Sequence, residues 1–138
     1  MRAFLVTVLI VPAAAVLAAE PPACPEHPKT QLDLNSCAGD GYARAKSELA
    51  ALYDTLRQRR SDDRAFLDAL KASDLAWVAY RDAQLRLLYP EPREVYGSIR
   101  PMCESDYLEQ LTRRRITELK AWIDGTAEGD ACAGSLRS

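Results

Sequence analysis

"LRQRRSDDRAFL", residues 56–67, decides how this chain folds. To its left, Leu34, Cys37, Ala38, Tyr42, Ala45, Leu49, Leu52 and Leu56 recur at steps of three and four, the spacing of one face of an α-helix. Arg57, Arg59 and Arg60 then crowd the last turn, where cations favour the negative end of the helix dipole. Ser61-Asp62-Asp63 supplies a new N-terminal cap. To the right, Phe66, Leu67, Leu70, Trp77, Arg81, Gln84, Leu85 and Leu88 mark the inward side of a second helix. So short a connection predicts an antiparallel helical hairpin.

Working outward, Thr30-Gln31-Leu32-Asp33 reads as a capping box that starts the first helix. Gly39 and Gly41 weaken its early turns by about 1 kcal/mol each relative to alanine, so a local kink is expected there. Tyr89-Pro90-Glu91-Pro92 ends the second helix, because proline lacks a backbone donor and disfavours helical geometry in the residue before it. A loop to about residue 100 follows, and Leu108, Leu111, Arg115, Leu119 and Trp122 mark a third helix that packs on the hairpin. The expected fold class is all-α: a long antiparallel hairpin plus a third packed helix, stapled by disulfides.

The extreme N-terminus is different in kind. Met1-Arg2 precedes an apolar run from Ala3 to Ala19, interrupted only by Thr7 and Pro12, and small residues sit at Val16-Leu17-Ala18-Ala19. That is the pattern of a signal peptide, residues 1–19, cleaved after Ala18 or Ala19, and it is too short for a stable membrane anchor. Cys24 follows Pro21-Pro22-Ala23 rather than a small-residue lipidation site, so lipid anchoring is disfavoured. The expected product is periplasmic or secreted. Removing 19 of 138 residues leaves 119, and losing Arg2 leaves 17 basic against 20 acidic residues, a net charge of −3. One domain over 20–138 is expected, with its core at 30–124 and a small, polar, flexible tail from Gly125. Mild acidity argues against nucleic acid and anionic membrane as partners and leaves basic proteins open.

Four cysteines, Cys24, Cys37, Cys103 and Cys132, in an exported chain point to two disulfides. Three pairings are possible on paper. The helix layout brings Cys37 and the start of the third helix to the same end, so Cys37–Cys103 is expected, with Cys24–Cys132 as the flanking pair.

Little here suits catalysis. The one histidine, His27, lies in "CPEHPK" at 24–29, and there is no nucleophile elbow, phosphate loop or HExxH. Cys24 with His27 is too small a donor set for a metal in an oxidising compartment, so neither metal nor cofactor is expected and the chain reads as a non-enzyme. Asp62-Asp63, Glu104 and Asp106 read as caps and solvated faces. In Arg113-Arg114-Arg115 the first two face water and Arg115 turns inward. Asp74, Trp77 and Arg81 share one face of the second helix, and a guanidinium stacked on Trp77 or Tyr80 can keep its head hydrogen-bonded, so Arg81 is expected to be a structural clamp.

"TQLDLNSC" at 30–37, "WVAYRDAQ" at 77–84, "GSIRPM" at 97–102 and "LTRRRITEL" at 111–119 occur in that order, and the ordered set resembles the LprI-type lysozyme-inhibitor domain. Thr30, Gln31, Asn35, Cys37, Trp77, Tyr80, Arg81, Asp82, Gly97, Ser98, Leu111, Thr112 and Arg115 sit on that signature. The chain departs from it at Leu85 and Tyr107, where members often carry cysteines; Cys103 lies one turn before Tyr107, and Cys132 has no counterpart. The resemblance implies a small exported binding protein that inhibits lysozyme by occluding its cleft, with a protein as partner. The loop carrying Tyr96, Gly97, Ser98 and Arg100 is then the candidate contact, with Arg100 offering a donor to the carboxylates of the cleft. An envelope stress or assembly accessory with another protein partner is the alternative.

Overall fold

A computed structural model of the chain describes residues 24–137, so the expected signal peptide lies outside the described residues. Three helices make up the fold: α1 (Gln31–Arg59), α2 (Arg64–Leu88) and α3 (Arg100–Asp124). A 3-10 segment, Arg93–Ile99, links α2 to α3, and a short 3-10 turn, Gly134–Leu136, ends the described chain. No strand occurs among the described residues.

The caps form as the sequence predicts. Thr30 accepts from the Asp33 backbone N–H at 3.1 Å while the Asp33 carboxylate accepts from the Thr30 N–H at 2.9 Å. Hydrogen bonds from the Lys29 and Thr30 backbones and the Thr30 hydroxyl hold the Asp33 carboxyl below its ordinary range. Asp63 caps α2 by accepting from the Phe66 N–H at 3.0 Å, and Arg60 closes the turn onto the same side chain at 2.6 Å. Helix α1 runs unbroken through Gly39 and Gly41.

The core is one cluster drawn from all three helices: Leu49, Tyr53 and Leu56, Phe66 and Leu70, Ile116 and Leu119, with Trp77 and Trp122 packed against it. Helices α1 and α3 run closest together. Ala38, Gly41 and Ala45 on α1 are buried and nearly lack side chains, so α3 can approach the α1 backbone. The Glu109 carboxylate occupies the space that a Cβ at Gly41 would fill. Helix α2 contributes only Phe66 and Leu70 to the fully buried set. Leu88, expected on the inward side, is 47% exposed.

The disulfide expectation is corrected. Cys24 is bonded to Cys37, with Cα atoms 4.3 Å apart, while Cys103 and Cys132 are free thiols, so neither Cys37–Cys103 nor Cys24–Cys132 forms. The reason is local. The Cys24 backbone N–H donates to Asp40 Oδ2 at 2.7 Å, which folds the N-terminal segment back along the first turns of α1 and delivers Cys24 to its neighbour. Cys132 follows the opposite end of α3, a helix whose 25 residues span about 37 Å at 1.5 Å per residue. The tail after Gly125 is instead seated by other contacts. Ala133 is buried, the Trp122 indole N–H donates to Ser135 Oγ at 3.0 Å, and Arg60 donates to the Ser135 carbonyl at 3.1 Å.

Candidate partner-binding site

The end of the molecule where α2 stops and α3 begins is organised by one carboxylate. Glu104, in the first turns of α3, is buried and takes Arg100 Nε on one oxygen and Arg93 Nη2 on the other, both at 2.6 Å. Burial pushes the Glu104 carboxyl up, but the two guanidinium hydrogen bonds and charges outweigh it and hold the group below its ordinary range. The Arg100 guanidinium lies over Tyr89 (5.2 Å) and Tyr96 (4.9 Å), whose rings meet edge to face at 5.1 Å, and it donates to the Glu91 carbonyl at 3.3 Å. The Tyr96 hydroxyl accepts from the Glu91 N–H at 3.1 Å. Both backbone polar groups of Glu91, between Pro90 and Pro92, are thereby drawn into one cluster.

That cluster holds up a turn at Gly97-Ser98. Gly97 has φ 68° and ψ −164°, a conformation in which a Cβ is strained, and a Cβ there would meet nothing within 4 Å. From the other side, Asn35 Nδ2 donates to the Ser98 carbonyl at 3.1 Å, and Gln31 Nε2 donates to Asn35 Oδ1 at 2.9 Å and approaches Met102 Sδ at 3.9 Å. Gln31, Asn35, Gly97 and Ser98, far apart in sequence, therefore meet at one end.

The two arginines expected to play opposite parts make contacts other than those expected. Arg100, expected to reach a partner, has a side chain only 12% exposed and is engaged on three sides. Arg81, expected to clamp helices together, lies over Trp77 at 5.3 Å and donates from Nε and Nη2 to Asp82 Oδ1, its own neighbour in α2. It joins nothing across helices through those bonds. The inter-helix arginine is Arg115, which turns inward as predicted and donates to Tyr53 on α1 (3.3 Å) and Ser73 on α2 (2.6 Å) from α3. Its apolar neighbours at 108, 111 and 119 carried that signal, but the partners did not, since a tyrosine and a serine on other helices are invisible to spacing. Glu104, read as a cap or a solvated acid, is the other miss.

Among the described residues, no three His, Cys, Asp or Glu side chains are placed to hold a metal ion, and no helix is long and apolar enough to cross a membrane. What the site offers is a solvent-exposed backbone turn, held by Asn35, on a disulfide-bonded three-helix domain. The family model described as "Lysozyme inhibitor LprI" matches residues 24–119, and the chain belongs to that family. A curated relative, "Uncharacterized protein R02472" of Rhizobium meliloti (strain 1021), is 39% identical over 106 residues, covering 69% of this chain and 75% of its own. No solved structure matches the chain.

Proposed function

We propose that this protein is an exported inhibitor that binds lysozyme and occludes its cleft, with the Tyr96–Ser98 turn as the leading element. The observation that carries this reading is the convergence of signature positions Gln31, Asn35, Gly97 and Ser98 on one solvent-facing turn. A turn already held by Asn35 from below and by the Arg100–Glu104 cluster from behind loses little conformational freedom on binding, so more of its contact energy appears as affinity. Gly97 leaves the backbone open for close approach by a partner. Arg100 is a positioning residue in this scheme: it shapes the turn, and Gly97, Ser98 and the exposed neighbours make the contact.

The test is lysis of peptidoglycan by lysozyme, with and without the purified mature protein. Dose-dependent protection at micromolar protein or below is expected. Absence of protection against every lysozyme class would sink the reading and leave an accessory role with another envelope protein.

A further inference from the structure

Helix α2 places only Phe66 and Leu70 in the fully buried set, and beyond them a groove of about 480 Å3 opens between α2 and α3. Ser73, Trp77 and Tyr80 line it from α2 and Arg114, Arg115 and Glu118 from α3, each set at the three- and four-residue steps that put side chains on one helix face. Its size lies in the range of small-molecule sites, which in helical bundles form between helices. Trp77 lines both this groove and a smaller opening toward α1. Arg81, 5.3 Å from the Trp77 ring centre, lines only that smaller opening, so the indole surface in the α2–α3 groove is free of it. Tyr80, one turn further on, is 52% exposed.

Arg115 supplies the polar centre of the groove. Its side chain is 10% exposed, and its Nε donates inward to Tyr53 at 3.3 Å. Its terminal nitrogens serve the groove: Nη2 donates to Ser73 Oγ at 2.6 Å and Nη1 to Glu118 Oε2 at 3.4 Å, and both acceptors are lining residues. A guanidinium carries five N–H donors and these bonds use three, so one on each terminal nitrogen has no protein acceptor among the described residues. Glu118, the one carboxylate lining the groove, is 62% exposed and held at the long end of hydrogen-bond range. Arg113 and Arg115 form ion pairs, whereas Arg114 between them forms none among the described residues. Two cations against one carboxylate leave an excess of positive charge in the groove. Asp74, beside Tyr53, lines the openings on the other side of α2 and does not line this one.

We propose that the α2–α3 groove binds a small organic acid, its carboxylate on Arg115 and Arg114 and a flat ring against Trp77 and Tyr80. A planar carboxylate is the anion that matches the fork of a guanidinium, and Arg115 is fixed in place by Tyr53 and Ser73 before any ligand arrives. The acid enters by taking the place of Glu118, whose side chain turns out to solvent. Two partly exposed aromatic side chains on one helix face favour a ring over a bare anion. The groove lies along the middle of α2 and α3, away from the Gly97–Ser98 turn, so it does not rest on the inhibitor reading.

The experiment titrates the mature protein with phenylacetate and follows the indole N–H signals of its two tryptophans by proton–nitrogen NMR. The Trp77 signal moves saturably, with a Kd below about 10 mM, while Trp122, bonded to Ser135 outside the groove, stays still. Phenylacetamide, the neutral counterpart, binds weaker by about tenfold or more. Arg115 is left intact because it ties α3 to both other helices. Arg114→Gln and Tyr80→Ala, at exposed positions, keep the parent melt and each weaken phenylacetate binding by about threefold or more. Glu118→Gln removes the competing carboxylate and tightens it by about twofold or more. A Trp77 signal that does not move, an amide that binds as well as the acid, or a folded Arg114→Gln or Glu118→Gln protein with parent affinity overturns the proposal. So does inorganic phosphate that displaces phenylacetate at equal concentration, since the ring would then add nothing.

Discussion

Toward their shared start, α1 approaches α3 with side chains that are almost absent, whereas α2 is held to both through side chains that are large. On α1, Ala38, Gly41 and Ala45 are buried, and on α3 Thr112 is fully buried and returns its hydroxyl to the Leu108 carbonyl at 2.7 Å. Across to α2 the contacts run through Tyr53, Phe66, Leu70 and Trp77, so that helix stands further off and its distal half stays largely uncovered. The lesson is that a helix can be long, regular and well capped and still owe its place to one end. Burial at Phe66 and Leu70 anchors α2 near the turn, Arg115 pins its middle through Ser73, and the Tyr89–Arg100–Glu104 cluster pins its far end.

The largest expected effect tests that contrast directly. Leu56, 1% exposed in the shared core, should cost about 3 kcal/mol when cut to alanine, whereas Leu87→Ala, on the exposed distal half of α2, should stay within about 0.5 kcal/mol. Urea unfolding of both variants decides it, and comparable losses would mean that α2 is packed along its whole length. Next, Arg100→Ala should cost about 2 kcal/mol, because it removes a charge-assisted bond from a buried carboxylate that keeps only Arg93. Arg81→Ala removes a bond to a neighbouring, partly exposed Asp82 and should cost less than about 1 kcal/mol. Melts in the opposite order would restore Arg81 as the clamp.

A smaller effect concerns acid. Because the folded Glu104 carboxyl lies below its ordinary value of 4.5, its contribution to stability is present above that value and is lost as the pH falls through the lower folded value. The parent should lose stability across the acid range below 4.5, and Glu104→Gln, less stable at neutral pH, should lose less on acidification. Equal slopes in the two proteins would remove Glu104 as the organising group. Smallest of all is Gly41→Ala. The new Cβ would displace the Glu109 carboxylate, which is the movable end of a side chain bound to Arg113, while gaining the helix preference of alanine. The two effects nearly cancel, so the melt should shift by no more than about 0.5 kcal/mol. A loss of several would show that the α1–α3 seam cannot yield at all.

Much of this molecule is local, and what is local was legible. The steps of three and four from Leu34 to Leu56, the Thr30–Asp33 box, the Asp63 cap and the Pro90–Pro92 break each act within a few residues, and each has its predicted counterpart. The inward turn of Arg115 was legible for the same reason, since its apolar neighbours share its face. Arg81 and Arg100 were not. Both lie beside aromatic residues in sequence, and the difference between them is that a buried carboxylate happens to stand one turn beyond Arg100, while Arg81 finds Asp82 beside it.

By itself, then, the sequence determined three helices, their ends, their amphipathic faces and, through four ordered motifs, the family. Tertiary structure alone decided which cysteines pair, that Arg100 is engaged on a buried carboxylate, that the Glu109 carboxylate fills the space beside Gly41 and how Asn35 comes to hold Ser98. The physical reason is range. Helix propensity, capping and periodicity are set by neighbours within a turn or two, whereas a disulfide, a guanidinium pair or a close helix crossing depends on groups brought together only after the helices have packed.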